Sequence, residues 1–168
     1  ERWAAVNAKV PHGDARRLID AFNQLVDRHR TALQRTGVEL SILLTALQTH
    51  AFSFEPVLHW HDSWLPMHRA VPDPAHLRRL SESQPNLAAR ELVARLRLET
   101  LALFDDFGAP SNQLGRTYAY VEKMAPEPQA LLIALKSQLD PRGLMNPGVL
   151  GLPIGSAADS SGGDSSID

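Results

Sequence analysis

Ala51-Phe52-Ser53-Phe54-Glu55-Pro56-Val57-Leu58-His59-Trp60-His61 is the stretch on which the fold turns. Successive side chains of a strand point to opposite faces. Phe52, Phe54, Leu58 and Trp60 therefore fall on one face, and Ser53, Glu55, Val57, His59 and His61 on the other. The first is a core face, and the second is free to carry polar chemistry. Pro56 has no N–H for a ladder, which predicts an edge position or an irregularity in the pairing.

Working outward, residues 38–47 are apolar at nearly every position, which predicts a largely buried strand. Upstream, Leu18, Phe22, Leu25, Val26 and Leu33 recur at helical spacing over residues 14–35, with Asp14 as N-cap and Gly37 as the stop. A further strand is expected between Trp3 and Val10. Downstream, residues 62–85 read as a loop rich in Pro, His and Asp with a short helix near residues 75–80. Asn86 N-caps a long helix that reaches Phe107. Ala89, Val93, Leu96, Thr100, Leu103 and Phe107 form its inward face, and Gly108 ends it. Its charges Arg90, Glu91, Arg95 and Arg97 read as a solvated face. Residues 111–121 are a loop leading into an extended piece. A last helix is expected over residues 127–139, with Pro128 in its first turn and Leu131, Leu135 and Leu139 turned inward. Residues 155–168, mostly Gly, Ser, Asp and Ala, bury too little apolar surface to offset their ordering and are expected to be a disordered tail. Strands pairing beside segregated helices predict an α+β domain over residues 1–154: an antiparallel sheet with helices packed on one face.

Composition narrows the function. A chain of 168 residues with 43% hydrophobic and 21% charged residues is ordinary for a globular domain. No apolar run approaches the roughly 20 residues that span a bilayer, so no membrane partner is expected. The formal net charge of -2, with basic residues scattered among acids, gives no stripe for phosphates, so no nucleic acid is expected either. The absence of cysteine excludes disulfides, thiolate catalysis and cysteine-ligated metals, and fits a cytoplasmic setting. Redox chemistry would need a bound cofactor. The start at Glu1, with neither Met nor a leader pattern, reads as an internal start, so a fragment of a larger protein is expected.

Two groupings can carry chemistry. His59 and His61 share a strand face about 6.5–7 Å apart by the strand rise, with Glu55 on the same face and His68 in the following loop. Two ligands alone make a weak metal site, and no metal is assigned. A solvated polar face is the plainer reading of these residues, with a substrate-lining face next. Arg116 and Tyr118, in Gln113-Leu114-Gly115-Arg116-Thr117-Tyr118, pair a guanidinium with a phenol two residues away, a workable carboxylate clamp, although a surface ion pair explains Arg116 equally well. His12, His29, His50 and His76 fall where capping or surface roles are usual. No nucleotide-binding glycine pattern and no Ser-His-Asp order are present.

The sharpest motif is Leu135-Lys136-Ser137-Gln138-Leu139-Asp140-Pro141-Arg142-Gly143-Leu144-Met145-Asn146-Pro147-Gly148. Asp-Pro breaks a helix, Gly143 permits a tight reversal and Pro147-Gly148 fixes a second turn. It resembles the carboxy-terminal signature of FAD-linked oxidases, the superfamily of vanillyl-alcohol oxidase, p-cresol methylhydroxylase and the D-lactate and glycolate dehydrogenases. Gly108-Ala109-Pro110-Ser111-Asn112-Gln113-Leu114-Gly115-Arg116 is similar to the family's glycine-rich active-site loop. Gln113 and Leu114 replace the Glu-His pair of the dehydrogenase branch, while Arg116-Thr117 resembles the vanillyl-alcohol oxidase branch. Phe54 to Trp60 looks like the family strand that faces the flavin.

The resemblance, over roughly residues 38–153, implies a ferredoxin-like cap domain whose sheet covers the isoalloxazine ring. It implies an FAD-dependent oxidoreductase that removes hydride from an alcohol carbon of a 2-hydroxy acid or a phenolic alcohol. The FAD would be bound mainly by a domain outside this chain, so the chain alone is expected to be inactive. His59 or His61 becomes the proton acceptor, Arg116 the anion stabiliser and Tyr118 a donor beside it. Glu55, Asn112 and Gln113 become substrate contacts, and Asn146 a cofactor contact. The alternative expectation is a non-catalytic module that pairs with a separate flavin-binding chain or forms a homodimer through its open sheet.

Overall fold

The structure is a computed structural model that describes residues 1–111, 113–118 and 120–152. The expected tail at residues 155–168 lies outside them. The chain divides into two compact units, Glu1–Asn112 and Gln113–Asp168.

In the first unit the fold is α+β, with an open antiparallel sheet. Strand β4 (Ala51–Trp60) is central. Strand β3 (Glu39–Leu47) pairs with it along its whole length, from Glu39 opposite His59 to Leu47 opposite Ala51. Strands β1 (Arg2–Ala5) and β2 (Ala8–Pro11) share its other side in one unbroken register, Ala5 opposite Val57 and Ala8 opposite Phe54. The gap between them falls opposite Pro56. Val6 N–H donates to the Pro56 carbonyl at 3.3 Å, but Pro56 has no N–H to return. Of the two expectations for Pro56, the interrupted ladder is the one realised; the strand itself is interior and not an edge.

Counting β1 with β2 as one interrupted strand and α1 with α2 as one interrupted helix, the order is strand–helix–strand–strand–helix with β4 between the other two strands, five of the six elements of the ferredoxin-like pattern. Beside β2, where the last strand of that pattern would pair, Lys9 N–H donates to the Pro110 carbonyl at 2.9 Å.

Helices cover one face. They are α1 (His12–Arg28), α2 (Arg30–Thr36) and α5 (Leu87–Asp106); the short α3 (Pro66–Ala70) and α4 (Pro74–Leu77) bury no residue and belong to the connection from β4 to α5. Phe54 lies at the centre of the core, edge-on to Phe22 with centroids 5.1 Å apart and to Phe104 at 6.2 Å. Val6, Ala8, Val10 and Leu18 pack around these rings, and a second cluster joins Leu25, Leu58 and Trp60 to Ala89, Val93 and Leu96 of α5. Asn86 accepts from Ala89 N–H at 3.0 Å, the expected cap, and Gly108 takes φ +58 at the helix end.

Three expectations are corrected here. The helix of residues 14–35 is two helices beginning at His12, broken at His29 (φ -104, ψ 5), whose ring Nε2 lies 2.8 Å from Glu99 of α5. Strand β4 stops at Trp60, so His61 lies past it, exposed. Strand β3 is not buried: Ile42, Leu43, Leu44 and Leu47 are 38%, 58%, 49% and 36% exposed, because the helices cover β4 and stop short of this edge. Periodicity cannot tell a two-sided core strand from a two-sided apolar edge.

In the second unit, α6 (Pro126–Leu139) lies between 3-10 turns at Val121–Lys123 and Val149–Gly151. No strand follows residue 111 among the described residues, in contrast to the extended piece expected. Leu131, Leu135 and Leu139 are exposed rather than turned inward, and no residue of α6 is fully buried. The Asp-Pro-Arg-Gly signature is a knot of hydrogen bonds. Asp140 accepts from Leu144 N–H at 2.9 Å, Met145 N–H at 2.8 Å and Lys136 Nζ at 2.6 Å, and Lys136 also donates to the Met145 carbonyl. Gly143 and Gly148 take φ +63 and +71, the left-handed turns their side-chain-free backbone permits.

Candidate functional site

The helix-free face of the sheet is built in rows by strand register. Trp3, His59 and Glu39 lie abreast at one end, Ala5, Val57 and Ser41 next, then Glu55 opposite Leu43, and Lys9, Ser53 and Thr45 beyond. His59 is held at both ring nitrogens: Nε2 shares a 2.8 Å hydrogen bond with the Ser41 hydroxyl, and Nδ1 lies 3.2 Å from Glu1 Oε1. Hydroxyl, imidazole and carboxylate in a row can pass a proton and stabilise the imidazolium that results. For acyl transfer such a row would also need converging N–H donors. The N–H groups of a ladder lie in the sheet plane, so the row is suited to proton transfer alone.

Glu55 is half-buried on the same face. Burial lowers the pKa of Lys9, and the Glu55 carboxylate pulls it the other way. Lys9 Nζ also donates to Asn7 Oδ1 at 3.3 Å. His68 is engaged elsewhere, its Nδ1 accepting from Leu65 N–H at 2.9 Å at the start of α3. Among the described residues no three His, Asp or Glu side chains converge as a metal site.

The second unit holds Gln113, Arg116, Tyr118 and Asn146. Tyr118 donates its hydroxyl to Gln113 Oε1 at 3.0 Å, and Arg116 is exposed. Asn146 is exposed at φ +46, inside the signature turn, and its carbonyl accepts from Val149 N–H at 3.1 Å. It borders an open, mainly apolar groove of about 310 Å³ with Leu135, Leu139, Met145 and Leu150. Asn112 lies outside the described residues.

Sequence reasoning missed Asp62. Its side chain is fully buried yet ionised, with Arg90 bonding both carboxylate oxygens at 2.6 and 2.8 Å, Asn86 N–H at 3.0 Å and the Trp60 indole N–H at 3.2 Å. Arg2 Nη1 stands 3.5 Å away. The Arg90 hydrogen bond, reinforced by those of Asn86, Trp60 and Ser63, overrides burial and holds the carboxyl well below the usual carboxylate range. Arg90 thus leaves the solvated face expected for it. The only signal in the sequence was an acid directly after a half-buried strand.

Flavin can be tested against these residues. The exposed Trp3, with Val57 and Leu43, gives the open face flat apolar area of the kind a tricyclic ring covers, beside a polar row. A pyrophosphate needs a glycine-rich turn opening a helix. Among the described residues α1, α5 and α6 open on Pro11-His12-Gly13, Asn86-Leu87-Ala88 and Ala125-Pro126-Glu127, which offer none. The described residues therefore offer no site for the pyrophosphate, which a separate domain would have to hold. No helix among the described residues is long and apolar enough to cross a membrane. No protein-family model, curated protein or solved structure matches the chain.

Proposed function

We propose that this chain is the substrate-side domain of an FAD-dependent oxidoreductase acting on an alcohol carbon. The observation that carries the reading is the open sheet face on which His59, tied to Ser41 and Glu1, stands between Trp3 and Glu39. The resemblance of the Asp140–Gly148 turn to the FAD-linked oxidase signature supports it.

The flavin, held mainly by a separate domain, supplies the hydride acceptor. This chain supplies the rest. His59 Nε2 takes the substrate hydroxyl proton, directly or through the Ser41 hydroxyl, and the Glu1 carboxylate at Nδ1 stabilises the charged ring. Trp3 and Val57 keep water from the ring face. Glu55 is a substrate contact on the same face. Within the second unit, Arg116 and the Tyr118 hydroxyl held by Gln113 are an anion-binding pair of the kind that takes a carboxylate or phenolate.

The experiment is anaerobic mixing of the chain, produced together with its flavin-binding domain, with 2-hydroxy acids and phenolic alcohols. Loss of the yellow flavin absorbance is expected, with H59A slowing it by about 100-fold or more. Flavin that stays oxidised with every substrate of both classes, or reduction unchanged by H59A, overturns the reading.

A further inference from the structure

We infer that β3 is a dimerisation strand, on which a second copy of this chain pairs antiparallel, centred on Leu43 facing Leu43 across a two-fold axis.

The backbone sets the geometry. Pro56 turns its carbonyl toward β1 and β2, accepting from Val6 N–H. Pairing groups alternate along an antiparallel strand, so those of Glu55 and Val57 face β3 and engage Leu43 and Ser41. The N–H and C=O groups of Leu40, Ile42, Leu44 and Ala46 then point outward, and among the described residues no strand pairs with this edge.

Exposed sheet edges are ordinarily guarded by lysine, proline, bulges or shortness. Strand β3 has none of these. It runs nine residues in unbroken register, with no proline or lysine and one charge, Glu39, at its end. Its apolar side chains are exposed on both faces, Ile42 and Leu44 on the helix side, Leu43 and Leu47 on the open side.

The occupant is chosen by the sequence of the strand. Glu39-Leu40-Ser41-Ile42-Leu43-Leu44-Thr45-Ala46-Leu47 is self-complementary when reversed about Leu43. Leu40 meets Ala46, Ser41 meets Thr45, Ile42 meets Leu44 and Leu43 meets itself. Apolar groups face apolar groups, hydroxyl faces hydroxyl, and no like charges are opposed. The outward-facing residues pair with one another, Leu40 with Ala46 and Ile42 with Leu44, as antiparallel hydrogen bonding requires. Moving the axis to Ile42 or Leu44 keeps the bonds but sets Ser41 against Leu43 or Leu43 against Thr45, and shortens the overlap. A two-fold axis satisfies both copies at once and closes the assembly at a dimer.

Light scattering coupled to size-exclusion, with the full chain across a range of concentrations, tests this. A dimer is expected, with L43K and L43E each raising its dissociation constant at least about tenfold by opposing like charges on the axis. An equimolar mixture of the two variants restores it. Leu43 is largely exposed, so both variants keep the wild-type fold by circular dichroism. Because the chain has no cysteine, the register can be read directly. At the axis Leu43 forms a non-hydrogen-bonded pair with Cα atoms about 4.5 Å apart, within disulfide reach. L43C is therefore expected to cross-link on mild oxidation, and L47C, facing Glu39, is not. A wild-type chain monomeric at every concentration, a dimer undiminished by L43K, or cross-linking of L47C as readily as L43C overturns the proposal.

Discussion

Arg90 grips Asp62 through two bonds, Nε to Oδ2 at 2.6 Å and Nη2 to Oδ1 at 2.8 Å, and so ties the end of β4 to the first turn of α5. Both elements reach their ends here, and Asp62 also accepts the Asn86 N–H that precedes the helix. Asp62→Asn keeps the shape but removes the charge, leaving Arg90 and its partners underpaid in hydrogen bonds. Chemical denaturation should show a loss of about 3 kcal/mol. The folded carboxyl is held below its unfolded value, so its contribution is present above about pH 4 and fades as pH falls through that value. Wild-type melting temperature should therefore drop more steeply than that of D62N as pH is lowered from about 5 to 3.

Phe54 is fully buried and packs edge-on against Phe22 of α1 and Phe104 of α5. Phe54→Ala leaves a cavity that rings from two different helices cannot close. A loss of about 3–5 kcal/mol in urea unfolding is expected, and F54L should cost clearly less.

Pro56 interrupts an otherwise continuous outer strand. Pro56→Val would supply the N–H that the Val6 carbonyl lacks and join β1 to β2. A hydrogen bond worth about 1 kcal/mol is set against a comparable loss of unfolded-state restriction, so stability should change by no more than about 1 kcal/mol. The new amide at position 56 should be among the slowest to exchange with solvent.

Asp140 is the hub of the signature turn, and its pKa is lowered first by Lys136 and then by Met145 N–H. Asp140→Ala frees the Leu144 and Met145 N–H groups. Their hydrogen exchange should quicken roughly tenfold while α6 stays helical by circular dichroism. Unchanged exchange would mean that backbone geometry alone holds the turn.

Much of the fold was legible from local pattern. The alternation of residues 51–60 marked β4 and its core face, Asn86 and Gly108 marked the ends of α5, and the Asp140–Gly148 residues marked two reversals. Of the candidate site, the sheet face of Glu55 and His59 was also legible, because side-chain alternation is a property of the strand itself. The partners of His59 were not. Ser41 and Glu1 meet it only through pairings with β3 and β1, which no local spacing encodes.

By itself the sequence determined what neighbours along the chain decide: the strand at residues 51–60, the cap and stop of α5 at Asn86 and Gly108, the reversals after Asp140, and that the fold is α+β. Tertiary structure decided what each face meets. It made the apolar residues 40–47 an exposed edge rather than a buried strand, set Pro56 in the central strand opposite a gap, and drew Arg90 from the solvated side of α5 onto Asp62. Burial and pairing depend on elements tens of residues away, and a side chain's environment is fixed only when those elements pack.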